Sequence, residues 1–92
     1  MTKQLLLFTA KHCTVCPQMH EIVHEIGLEH KDIQIHLIST DTDRELIRRF
    51  KIRGVPALVY LVDDVQEGYL NGLQKKKTIL EMMEGTNEKT NL

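Results

Sequence analysis

The run Leu5-Leu6-Leu7-Phe8 is apolar at every position, a pattern suited to a strand covered on both faces. It is too short for a helix, so it reads as a buried strand over Gln4 to Thr9 with other elements packed on each side of a sheet. The following segments can supply those layers. From Val15 the period changes: Met19, Ile22, Val23 and Ile26 recur at helical spacing, Glu21 and Glu25 lie opposite, and Gly27 marks the expected end. Ile33, Ile35 and Leu37 then alternate with Gln34 and His36, as in a strand. Ser39 and Thr40 offer capping oxygens, and Asp41 and Asp43 bring negative charge to a first helical turn whose apolar side is Leu46, Ile47 and Phe50.

Pro56 precedes Ala57-Leu58-Val59-Tyr60-Leu61-Val62, and Asp63-Asp64 can turn this strand into another from Val65 to Leu70, forming an antiparallel hairpin. A last helix is expected from about Leu73 to Glu84, stopping near Gly85. Its Lys75-Lys76-Lys77 run lies at the unfavourable end of the helix dipole and reads as a solvated face. The order βαβαββα predicts the α/β class, a mixed four-stranded sheet flanked by three helices. Helical crossovers imply parallel pairing among the first three strands, with the hairpin as an antiparallel edge. Residues 1–85 form the expected domain and residues 86–92 a polar, frayed tail. Ligand chemistry is expected at the carboxyl ends of the parallel strands.

Charge narrows the partners. The 12 basic and 13 acidic residues nearly cancel, so net charge draws the chain to neither nucleic acid nor an anionic membrane. The apolar run near the amino terminus is shorter than a signal-peptide core or a membrane span, which makes a cytoplasmic protein the expectation, and a monomer is expected as well.

Cys13 and Cys16 are the only cysteines and stand as Cys13-Thr14-Val15-Cys16 between the first strand and the first helix. Thiols at this spacing can close a disulfide. Half a zinc site and an inert buried pair are the alternatives, although a four-cysteine site would need a second pair. Cys13, Cys16, His20 and His24 could also share a helical stripe and ligate zinc. In a reducing compartment a lasting structural disulfide is disfavoured, which turns attention to redox or metal chemistry. If Cys13 caps the helix, the unpaired first-turn N–H groups favour its thiolate by about 1 to 2 kcal/mol, roughly one pKa unit. Cys16 falls at the margin of the apolar face and Cys13 nearer solvent, the arrangement of an attacking and a resolving thiol. Pro17 suits a first helical turn and stiffens it. His12, when protonated, can stabilise the adjacent thiolate.

The Cys-x-x-Cys pair after the first strand, together with Phe50-Lys51-Ile52-Arg53-Gly54-Val55-Pro56-Ala57 before the third, resembles the thioredoxin family. The resemblance extends over nearly the whole chain in its small, glutaredoxin-like form. It implies a dithiol–disulfide oxidoreductase with Cys13 as nucleophile, Cys16 as resolving thiol and no bound cofactor beyond the redox-active disulfide between them. It also implies a cis peptide at Pro56, a backbone at Val55 that pairs with an extended substrate chain, and a glycine at Gly72 that admits substrate, with Thr14 and Val15 at the contact surface. Disulfide-containing proteins are the implied substrates, and a thioredoxin reductase-like flavoenzyme or glutathione the electron donor.

The departures are local. Where the family usually has Trp before the first cysteine and Gly-Pro between the pair, this chain has His12 and Thr14-Val15, and Leu7 stands where the family buries an aspartate. The segment Tyr69-Leu70-Asn71-Gly72-Leu73-Gln74 lacks the Gly-Gly and aspartate with which glutaredoxins hold glutathione, although Lys11 could meet one of its carboxylates. A glutathione-dependent glutaredoxin and a non-catalytic binding module of the same fold are the alternative readings.

Overall fold

A computed structural model describes residues 1–88, with side chains through residue 84. The elements are β1 (Lys3–Thr9), α1 (Cys16–Glu29), β2 (Ile33–Ser39), α2 (Arg44–Arg49), β3 (Ala57–Val62), β4 (Val65–Asn71) and α3 (Lys76–Glu88). The four strands form one sheet in the order β2-β1-β3-β4. β1 is interior in this sheet, as its unbroken apolar run requires. Leu5 and Leu7 point into a cluster with Met19, Val23, Ile26, Leu58 and Ile79. On the opposite face, Leu6 and Phe8 pack with Ile38, Phe50, Ala57 and Val59.

The direction of β3 differs from the sequence expectation. β1 and β2 are parallel, but β3 runs antiparallel to β1, pairing Phe8 with Ala57 and Lys3 with Val62. The cause lies at the end of α2. This helix rises only about 9 Å, less than half the length of a six-residue strand. It then closes with two bonds, Lys51 N–H to the Arg48 carbonyl (3.3 Å) and Ile52 N–H to the Ile47 carbonyl (2.9 Å), while Lys51 adopts a left-handed φ of 54°. That turn sends the chain back towards the sheet end from which β2 emerged, and β3 starts there. A side chain in this conformation costs about 1 to 2 kcal/mol. Lys51→Gly is therefore expected to stabilise the fold by about 0.5 to 1 kcal/mol, read as a higher urea midpoint at an unchanged m-value.

Other boundaries differ for tertiary reasons. α1 continues through Gly27 to Glu29, because that glycine answers a packing demand: an added Cβ would lie 2.9 Å from Ile35 Cγ1. The cap of α2 is Asp43, whose carboxylate accepts from Leu46 N–H at 3.4 Å. Ser39 and Thr40 bond within the preceding loop instead. On β2, Ile38 is the buried residue and Leu37 is exposed, since the core pairs this edge strand with two different layers. The Asp63-Asp64 turn has φ values of 52° and 68°, the primed geometry of a tight hairpin.

α3 starts at Lys76 and runs to Glu88, three residues past the expected stop at Gly85. The predicted tail thus begins within its backbone, and residues 89–92 lie outside the described residues. Lys76 is not simply solvated. Its ammonium meets Glu25 at 2.7 Å and Glu29 at 2.6 Å on α1, and these carboxylates, Glu25 first, hold it above the ordinary lysine range. An acidic pair on α1 thereby offsets the unfavourable dipole position.

Candidate active site

The Cys13–Cys16 disulfide is closed, with a Cα–Cα separation of 5.4 Å. Cys16 is the first residue of α1, Val15 is the N-cap, and no side chain caps the turn. Cys13 is therefore not the cap but lies outside the helix, since Pro17 fixes the helix start beside itself. The disulfide carries the Cys13 sulfur towards that uncapped end. Cys16 is buried, at 4% exposure, whereas Cys13 is half-buried and His12, Thr14 and Pro17 are exposed. Access thus differs between the two cysteines.

The loop is tied from both ends. Cys13 N–H donates to the Ala10 carbonyl at 3.3 Å, and the Asp41 carboxylate accepts from Lys11 N–H at 2.8 Å. Thr40 bonds through its N–H and its hydroxyl to the Thr9 carbonyl, at 2.8 and 3.1 Å. The loops after β1 and β2 therefore form one unit. Asp41, which the sequence suggested only as helix-end charge, anchors the cysteine loop instead.

The antiparallel β1–β3 register brings in the second part. Because Ala57 pairs with Phe8, Pro56 sits at the sheet end where β1 gives way to the cysteine loop. The Val55–Pro56 peptide is cis, Pro56 is fully buried and Val55 is half-buried. The Pro56 carbonyl accepts from Gly72 N–H at 2.7 Å. Asn71 Nδ2 donates to the Gly54 carbonyl at 3.1 Å, with a longer contact of 3.5 Å to that of Pro56. Gly72 has φ +86° and nothing within 4 Å of where a Cβ would stand, so its backbone conformation, and no close neighbour, calls for glycine there. Asn71 was missed in the sequence. An Asn-Gly pair ending a strand was its only signal, and that reads first as a turn.

The histidines do not converge on the sulfurs. His20 and His24 stack on each other with ring centroids 6.4 Å apart and line a shallow groove with Leu28 and Leu37. Among the described residues, no group of three or more His, Cys, Asp or Glu is placed to hold a metal ion. Leu7, where the resemblance implies an aspartate, is fully buried in an apolar cluster. A cleft of about 370 Å³, lined by residues including Lys3, Asp32, Tyr60 and Glu67, opens at the opposite end of the sheet. No described helix is long and apolar enough to cross a membrane.

Comparison with known proteins gives one answer. The thioredoxin family model matches residues 1–85. A curated relative, a probable thioredoxin of Archaeoglobus fulgidus, is 38% identical over 76 residues, covering 76% of this chain and 84% of its own length. Among solved structures, a mutant thioredoxin from Halobacterium salinarum superposes with a TM-score of 0.83 at 27% identity, over 92% of this chain and 74% of that one. A structure described only as a malarial protein gives 0.85 at 17% identity, over 94% and 98%, a likeness of fold alone.

Proposed function

We propose that this chain, which belongs to the thioredoxin family, reduces disulfides in other proteins by cycling Cys13 and Cys16 between dithiol and disulfide. That it is a thiol–disulfide oxidoreductase follows from the family and the closed cysteine pair. The observation that carries the finer reading is the difference in access between a half-buried Cys13 and a buried Cys16.

In the reduced form the Cys13 thiolate attacks one sulfur of a substrate disulfide, forming a mixed disulfide and releasing the other substrate sulfur as a thiolate. Cys16 loses its proton and attacks Cys13 Sγ, which forms the Cys13–Cys16 bond and expels the second substrate thiolate. Two electrons pass to the substrate, and its two sulfurs take up two protons. Proximity makes the second attack intramolecular and fast. The Val55 backbone pairs with the extended substrate chain, Pro56 and Gly72 shape the floor, and Thr14 and Val15 complete the contact. His12 and Pro17 support the loop. Residues 1–85 are the redox domain, and it works as a cytoplasmic monomer without a bound cofactor.

Regeneration requires an external dithiol or hydride source. The Tyr69–Gln74 segment lacks paired polar anchors for the charged ends of glutathione, and an exposed Lys11 alone contributes little. A thioredoxin reductase-like flavoenzyme with NADPH is therefore the favoured donor. With reductases from one source organism, the oxidised protein is expected to be reduced at least about tenfold faster by thioredoxin reductase than by glutathione with glutathione reductase. Efficient turnover only with glutathione would replace this donor by the glutaredoxin type, and no reduction of protein disulfides by the dithiol form would leave a binding module.

A further inference from the structure

One side chain reaches the stretch ahead of β3 from another strand. Asn71 ends β4 opposite Ala57, the first residue of β3, so it stands beside the segment 54–56. Its Nδ2 donates to the Gly54 carbonyl at 3.1 Å and reaches the Pro56 carbonyl at 3.5 Å. A Cβ added to Gly54 would meet both ends of the Asn71 amide, Oδ1 at 3.6 Å and Nδ2 at 3.8 Å. The Pro56 carbonyl also accepts from Gly72 N–H at 2.7 Å, and Gln74 Nε2 donates to the Asn71 carbonyl at 2.8 Å. A primary amide suits this place, because one uncharged nitrogen carries two N–H donors and can serve two carbonyls. Between the carbonyls so engaged stands Val55. Its own N–H and carbonyl have no hydrogen-bond partner among the described residues, although the residue is half-buried. Unpaired backbone groups at a sheet end are what an added strand uses.

From the contacts of Asn71 Nδ2 with the two carbonyls that flank the unpaired Val55, we infer that Asn71 is a positioning residue: it keeps Val55 the pairing point for a substrate chain and thereby favours disulfides in extended protein segments over small-molecule disulfides. This rests on the disulfide-reductase reading above and names a residue outside the cysteine loop that sets its substrate class. With the Gly54 and Pro56 carbonyls already engaged, an incoming chain finds one register, the one that bonds to Val55. Without the amide, those carbonyls compete with Val55 for the substrate's N–H groups, and the segment loses its side-chain tie to β4. A small disulfide has no chain to pair and depends on the cysteines alone.

The test compares the unaltered dithiol protein with Asn71→Asp and Asn71→Leu on a disulfide-bridged peptide, on the same peptide N-methylated at the residues beside its cysteines, and on 2-hydroxyethyl disulfide. Both replacements are close to asparagine in size. Aspartate puts a carboxylate oxygen where the N–H donors stood, and leucine has no donor. For the peptide, kcat/KM is expected to fall about fivefold to tenfold in both variants, mainly through KM, and for 2-hydroxyethyl disulfide to change by less than about twofold. N-methylation is expected to cost the unaltered protein about fivefold and the variants about twofold or less, since it removes the bond that Asn71 protects. Asn71 is exposed, so the urea midpoints should stay close together and show that the fold is intact. Equal losses for the peptide and 2-hydroxyethyl disulfide, no loss with either, or an equal cost of N-methylation in all three proteins would overturn the inference while leaving disulfide reduction intact. Failure of the unaltered protein to reduce the peptide would overturn the reductase reading, and this inference with it.

Discussion

Cys13→Ser is expected to reduce disulfide turnover by about a thousandfold or more and to trap nothing, whereas Cys16→Ser should accumulate about one mixed disulfide per chain. The asymmetry follows from access. Cys16 is 4% exposed at the start of α1, so an incoming disulfide cannot reach it, and it meets only a sulfur delivered by Cys13. The half-buried Cys13 can be approached from solvent. With Cys16 gone, the first exchange still proceeds but its intramolecular resolution does not, and the mixed disulfide persists. Mass spectrometry of each variant after exposure to a protein disulfide provides the check. A trapped adduct on Cys16 in the Cys13 variant, or equal alkylation rates for the two thiols between pH 5 and 9, would reverse the assignment.

Leu7→Asp is expected to cost about 4 kcal/mol or more at pH 7, a large part of a small domain's stability. Leu7 is fully buried among Leu5, Met19, Val23, Ile26 and Leu58. Truncating a leucine in such a place costs about 2 to 5 kcal/mol, and a carboxyl introduced there finds no buried polar partner among the described residues. Desolvation would raise its folded-state pKa above the unfolded value near ~4. Between those two values the folded state binds a proton that the unfolded state has lost, so stability falls as pH rises through the window, by about 1.4 kcal/mol per unit. Urea unfolding at pH 4 and pH 7 would show a smaller deficit at the lower pH. A loss below about 1 kcal/mol at pH 7 would mean that this position tolerates the carboxylate that the family resemblance implies, and that the apolar cluster around Leu7 is looser than its packing indicates.

Much of the fold was legible because each strand and helix carries its own period. Leu5 to Phe8 could only be central, and Ala57 to Val62 behaved likewise. What escaped depended on distant atoms. Gly27 looks like a helix stop until Ile35 is seen against it, and the direction of β3 hinges on the αL turn at Lys51, where sequence offers a lysine in place of the usual glycine. The two cysteines and Pro56 were readable from spacing and resemblance. Asp41 and Asn71 were not, because each bonds backbone groups of a remote segment, Lys11 in one case and Gly54 in the other. The role of Lys76 was hidden for the same reason, since its partners lie on another helix.

The β1–β3 pairing also has a kinetic side. The cysteine pair is local in sequence and can form or break its bond in any chain long enough to contain it, but Val55–Pro56, the proposed substrate platform, is brought to the end of β1 only once Phe8 has paired with Ala57. Such a non-local contact closes a long loop and forms slowly compared with a helical turn. In a nascent or partly unfolded chain the two cysteines are therefore present before the proposed substrate platform is assembled. Under the proposed function discrimination arrives late, with the sheet, and the same cooperative step that completes the core would make the thiol pair selective.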